Sequence, residues 1–317
     1  MNLFQGLITT LFIRVQLLLT RIQIMKPNIF FKLFLPLLIS SFLFAKTTVA
    51  VSVLPQESIT KAIGGDKINV LLMVKPGSSP HSYEPKPAQM IALSNAKLYL
   101  SIGVEFEEAW LPKFKAQNPG MKIVDSSRGI KRIKMAAHHH EEVHHDSKHH
   151  DEHEGKDPHV WTSPANIKII AANTLQALIK ADPDNKIYYE ANYRKLLQKI
   201  AATDRQIRLI LKNTPKGSKF MVFHPAWGYF AQSYGLVQVP IEVEGKEPKP
   251  SALGKLIKEA KDQNIRAIFT QPEFSDKSAR LIASQLHISV IKASPLAADW
   301  SANLIGLARA IAVNTSK

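Results

Sequence analysis

Beyond residue 46 the apolar positions fall into short, β-branched blocks separated by longer stretches in which they recur every three or four residues. Blocks 46–53, 67–74, 97–102 and 121–125 read as strands, with helices such as 86–96 and 107–116 between them. After a long helical region the alternation resumes, with strands at 219–223, 236–239, 265–270 and 288–291 and helices at 225–234, 251–264, 275–287 and 300–314. Strand and helix alternating at this spacing build βαβ units. The pattern therefore predicts an α/β fold of two lobes, each a mainly parallel four-stranded sheet flanked by helices.

Between the two series lies 184–213, where Tyr189, Tyr193, Leu196, Ile200, Ile207 and Ile210 form one apolar stripe without an intervening Gly or Pro. This predicts a single helix of about 45 Å at 1.5 Å per residue, with one beat of the stripe missing at Thr203. As a rigid backbone it would join an amino-terminal lobe, 46–183, to a carboxyl-terminal lobe, 214–317, and limit wide hinge opening. A chain of 317 residues also exceeds the size at which a single core stops growing.

Residues 1–45 do not fit this alternation. Lys26 and Lys32 precede an apolar run, 33–44, that ends at Ala45, the layout of a secretory signal peptide and too short for a membrane span. Met25 is the expected true start. Cleavage after Ala45 leaves the strand TTVAVSV whole, whereas cleavage after Ala50 would cut it. The exported chain keeps a formal charge of +11, since all four charges removed with the leader are basic. Its lysines are spread along the chain rather than interleaved with aromatics, and it is exported, so nucleic acid is not the expected partner. The absence of cysteine excludes disulfides, thiolate metal sites and a lipid-anchored cysteine, and leaves a soluble protein of an extracytoplasmic space.

Eight of the twelve histidines lie in an acidic tract, HHHEEVHHDSKHHDEHE, at 138–154. Such a composition gathers zinc, copper or nickel, but offers too little apolar surface to order itself. It is expected to be disordered and cannot define one coordination geometry. Of the other four, His287 ends a helical pattern, where a cation suits the helix carboxyl terminus. His81 lies in the loop KPGSSPHSYEPKP after a strand, His159 in the turn KDPHVWTSP, and His224 at the end of the strand KFMVF. Ligands of open parallel sheets bind beyond the carboxyl ends of the strands, so these three are the candidates to converge on a cleft.

The segments VSVLPQ, GSSPHSYEPKPAQM, DPHVWTSPANIK, FHPAWGYFAQSYGL, IFTQPEFSDKSARLIA and ASPLAADW together resemble the metal-binding cluster of ABC transporter substrate-binding proteins, and within it the ZnuA-like zinc-uptake proteins. They cover nearly all of the exported chain, in family order. The resemblance implies two parallel-sheet lobes around a long helix, Zn2+ as the transported ligand, and an inner-membrane ABC permease of a zinc uptake system as partner. It implies His81, His159 and His224 as metal ligands, the histidine at the third position being the mark of the zinc branch where the manganese branch has glutamate. It also implies an aspartate where this chain has Ser294, which leaves the fourth ligand open among water, Asp299 and a histidine of the tract. The tract, close before the second motif, reads as an accessory collector or sensor of zinc over the cleft mouth. A manganese or iron carrier of the same fold is an alternative. So is a zinc hydrolase, because three histidines with an open position also hold catalytic zinc, but the only HExxH spelling, at 140–144, falls inside the tract expected to be disordered, and Glu84, followed by Pro85, reads as solvated.

Overall fold

The computed structural model describes residues 46–136, 155–242 and 246–315; the expected leader and histidine tract lie outside them. Strands β1 (Thr47–Val51), β2 (Ile68–Leu72), β3 (Leu98–Ser101) and β4 (Lys122–Asp125) form one sheet in the order β2-β1-β3-β4. Strands β5 (Lys219–Val222), β6 (Val237–Pro240), β7 (Ala267–Thr270) and β8 (Ser289–Lys292) form a second in the order β6-β5-β7-β8. Every pairing within both sheets is parallel. In each sheet the chain order reverses beside the first strand, between β1 and β3 and between β5 and β7. These are the switch points at which crossover connections diverge and leave a crevice beyond the strand ends.

The helices of the first half are α1 (Leu54–Gly64), α2 (Pro87–Leu93), α3 (Glu105–Gln117) and α4 (Pro164–Ala181). The long helix α5 (Lys186–Ile210) has 25 residues, after a tight turn at Pro183–Asn185. It is about 38 Å long at 1.5 Å per residue, shorter than the predicted helix because turns take residues 184–185 at its start and 211–213 at its end. The second half adds α6 (Gly228–Tyr234), α7 (Pro250–Asp262), α8 (Lys277–Leu286) and α9 (Trp300–Thr315). No helix among the described residues is long and apolar enough to cross a membrane.

Helix α5 packs against α1, α4 and α9, burying Tyr189, Leu196, Ile200 and Ile207. Thr203, the missing beat, is buried too: its hydroxyl meets the Lys199 carbonyl at 2.8 Å and the Ser301 hydroxyl of α9 at 2.6 Å. One apolar core therefore runs from Val49 and Leu100 of the first sheet, past Leu196 and Ile207, to Phe220 and Phe269 of the second. A smaller core of Met221, Phe223, Ile268, Leu256 and Ile282 lies on the other face of the second sheet, under α7 and α8. Opening the lobes widely would expose part of the continuous core to water, at about 25 cal/mol for each Å2 of apolar surface.

Candidate metal centre

Each of the three histidines is delivered by a different device. His81 stands in the loop between β2 and α2, whose Pro80 carbonyl accepts a hydrogen bond from Phe106 N at the start of α3. His224 lies two residues past the end of β5. Its backbone N–H donates to Gln271 Oε1 at 3.2 Å, and its carbonyl accepts from Gln271 Nε2 at 2.8 Å, which ties it to the end of β7. His159 sits in a turn that the Asp157 carboxylate closes by accepting the His159 backbone N–H at 2.8 Å. That turn is pinned from the second half of the chain, because Tyr229 donates to the Asp157 carbonyl at 2.9 Å and Trp161 Nε1 donates to the Pro295 carbonyl at 2.8 Å.

The side chains meet. His81 Nε2 is 3.0 Å from His224 Nε2, which is 3.3 Å from His159 Nε2, and candidate ligand atoms of all three lie within 4.8 Å of one another. With Pro80, Glu273, Phe274, Pro295 and Leu296 they enclose a cavity of about 10 Å3, the space of roughly one water-sized sphere. That volume suits a bare ion. Phe274 stacks on His224 with ring centres 4.4 Å apart.

Behind each imidazole stands a carboxylate. His81 Nδ1 is 3.0 Å from Glu105 Oε2, His159 Nδ1 is 2.9 Å from Asp157 Oδ1, and His224 Nδ1 is 2.8 Å from Glu242 Oε1. An ionised carboxylate only accepts, so each Nδ1 carries the hydrogen and each Nε2 presents a lone pair inward. Burial, and after it the neighbouring His159 and His81, hold the His224 imidazole well below the ordinary histidine value and keep it neutral. Partial burial pushes the Glu105 carboxyl up, but the hydrogen bond and charge of His81 more than reverse this and leave it lowered. His159 and His224 are 2 % and 3 % exposed against 25 % for His81, so the cluster is open to solvent on the His81 side.

The remaining candidates lie elsewhere. Asp299 is exposed at the start of α9, 3.4 Å from Lys199 Nζ, and accepts from Ala302 N. Ser294 donates to Glu273 Oε1 at 2.9 Å. Glu84 is exposed, and His287 caps α8 with a positive φ of 55°. Sequence reasoning missed Glu105, Asp157, Glu242 and Glu273. The available signal was position: Glu105, Glu242 and Glu273 stand just past the ends of β3, β6 and β7, and Asp157 is two residues before His159.

A family model described as "Zinc-uptake complex component A periplasmic", ZnuA, matches residues 49–312. The high-affinity zinc uptake system protein ZnuA of Bacillus subtilis is 36% identical over 245 residues, 76% of each chain. The manganese ABC transporter substrate-binding lipoprotein scaA of Streptococcus gordonii is 28% identical, over 73% of this chain and 74% of its own. The crystal structure of a ZnuA deletion mutant with zinc bound is 40% identical and superimposes with a TM-score of 0.77, over 86% of this chain and 99% of that one. The two-sheet architecture and the match along almost the whole described chain agree, and the chain belongs to the ZnuA family of periplasmic, metal-binding substrate-binding proteins of ABC transporters, which are carriers and not enzymes.

Proposed function

We propose that this protein captures Zn2+ between its lobes with the Nε2 atoms of His81, His159 and His224, and delivers it to an inner-membrane ABC permease for uptake. The observation that carries this reading is the convergence of three imidazole lone pairs, each fixed by a carboxylate at Nδ1. Three such lone pairs repel one another unless a cation lies among them. A tetrahedral zinc with bonds of about 2.0–2.1 Å places its ligand nitrogens about 3.3 Å apart, close to the 3.0 and 3.3 Å separations of the two shorter pairs. A set of three imidazoles favours borderline zinc over manganese, which prefers carboxylate and water oxygen. His81, the most exposed of the three, is the first ligand to let go when the ion is handed over. The acidic histidine tract at 138–154 serves as an accessory collector, and the exported protein acts as a soluble monomer in the periplasm.

Zinc titration in competition with a chelator tests this. His224→Ala abolishes the tight site, whereas deletion of 138–154 retains one tight site and removes several weak ones. A tight site that survives His224→Ala, or vanishes with the tract, overturns the assignment.

A further inference from the structure

We propose that Glu273 supplies a carboxylate oxygen as the fourth ligand of the ion held by His81, His159 and His224, an inference that rests on the three-histidine reading above. Glu273 follows β7, the strand beside β5, and so shares with His224 the switch point of the second sheet. It lines the small cavity together with all three histidines, and also the adjoining cleft of about 170 Å3 bounded by Val53, Lys75, Gly77 and Ser294. Its two oxygens are treated differently. Oε1 accepts from the Ser294 hydroxyl at 2.9 Å, and the Ser294 oxygen in turn accepts from Leu296 N at 3.1 Å. Oε2 is buried and has no hydrogen-bond partner.

A buried carboxylate oxygen without a donor is costly, and a divalent cation is a partner that removes the cost. The next residue, Phe274, stacks on His224 with the ring planes 22° apart, which fixes the Glu273 backbone relative to a ligand. Glu273 is not among the groups whose ligand atoms lie within 4.8 Å of one another, so its side chain turns inward by rotation about its own bonds when the ion arrives. Ser294 is then a positioning residue that holds one oxygen and aims the other. The resulting three nitrogens and one oxygen give a closed tetrahedral shell with one negative charge from the protein. Asp299, paired with Lys199 at the start of α9, is not needed for it.

The test combines zinc affinity with the visible spectrum of the Co2+-loaded protein, for wild type, Glu273→Gln, Glu273→Ala, Ser294→Ala and His224→Ala. Glu273→Gln is expected to raise the zinc Kd roughly 10- to 100-fold and Ser294→Ala less than 10-fold, magnitudes typical of losing one ligand-side interaction. The wild-type cobalt spectrum stays constant between about pH 6.5 and 9. In Glu273→Ala a water takes the vacated place and ionises near neutrality, as metal-bound water does at about pH 7 in a three-histidine site, so that spectrum titrates. A wild-type spectrum that titrates in the same way, or unaltered zinc affinity in Glu273→Gln, overturns the proposal. His224→Ala separates the two readings: loss of tight zinc there with no effect of Glu273→Gln leaves the three-histidine site standing and removes only the fourth ligand, whereas tight zinc in His224→Ala removes both.

Discussion

Glu242 Oε1 lies 2.8 Å from His224 Nδ1, and the two side chains are only 4 % and 3 % exposed. In so dry a place the carboxylate decides which ring nitrogen keeps the hydrogen. Glu242→Leu removes the acceptor, and the proton can then move to Nε2, where it blocks the metal. Zinc Kd is expected to rise about 10- to 100-fold, with less change in Glu242→Gln, whose side-chain carbonyl still accepts from Nδ1–H. Chelator competition measures both, and equal losses in the two variants would show that charge rather than tautomer control is what Glu242 provides.

Gly228 opens α6 against the same machinery. A Cβ there would lie 2.5 Å from Asp157 Oδ2 and 3.1 Å from Ile133 Cδ1, and Asp157 is the group that orients His159. Gly228→Ala is expected to displace that carboxylate and weaken zinc binding by at least several-fold. Gly254, inside α7, has no atom within 4 Å of the same added carbon, so Gly254→Ala leaves affinity unchanged and stabilises the fold by up to about 1 kcal/mol through helix propensity. Thermal unfolding and zinc titration of the pair distinguish a site-directed effect from a general one.

The strand and helix alternation was readable because β-branched blocks and three-four periodicity differ locally, and the three histidines that the fold brings together could be singled out because each lies beyond a strand or beside a turn. The supporting carboxylates were not. Glu105, Glu242 and Glu273 carry no local sequence mark that sets them apart from solvated acids such as Glu84, and only the folded chain shows which of them meet an imidazole. Thr203 is a similar case. As a polar gap in an apolar stripe it gave no sign of Ser301, 98 residues away, whose hydroxyl it meets at 2.6 Å. Side-chain pairs formed across sequence distance carry no local periodicity, and so the fourth place around the ion stayed open at Ser294.

Proton competition follows from the same geometry. All three proposed ligand imidazoles must be neutral to bind metal, and a free imidazole titrates near pH 6.5. His224 is held well below that value by burial and by His159 and His81, so at pH 6 it gives up less proton than a free imidazole, which would be mostly charged. Zinc binding at pH 6 is expected to release fewer than the roughly two protons that three free imidazoles would lose. Calorimetry in buffers of different ionisation enthalpy counts them, and two or more would contradict a pre-neutralised His224. In the metal-free protein the lowered value also means that the unfolded chain binds the extra proton first, so this residue's contribution to stability declines as pH falls below about 6.5.

Glu107 gives the opposite dependence, in the first lobe. It is 3 % exposed and accepts from Ile102 N, Gly103 N and the Ser52 hydroxyl, which also meets Tyr99 at 2.9 Å. Burial pushes its carboxyl up to about 7, against hydrogen bonds that pull it down. Between the ordinary carboxyl value of about 4.3 and about 7, the folded chain holds a proton that the unfolded chain has lost. Stability therefore falls as pH rises through that window, by on the order of 3 kcal/mol in total. Glu107→Gln keeps a neutral side chain whose carbonyl can take the two backbone donors while its amide faces Ser52. Its stability relative to wild type is expected to grow from about pH 5 to about pH 8 by most of that amount. Urea unfolding of the metal-free proteins measures the difference, and one that stays constant across this range would show that Glu107 is already ionised at pH 5.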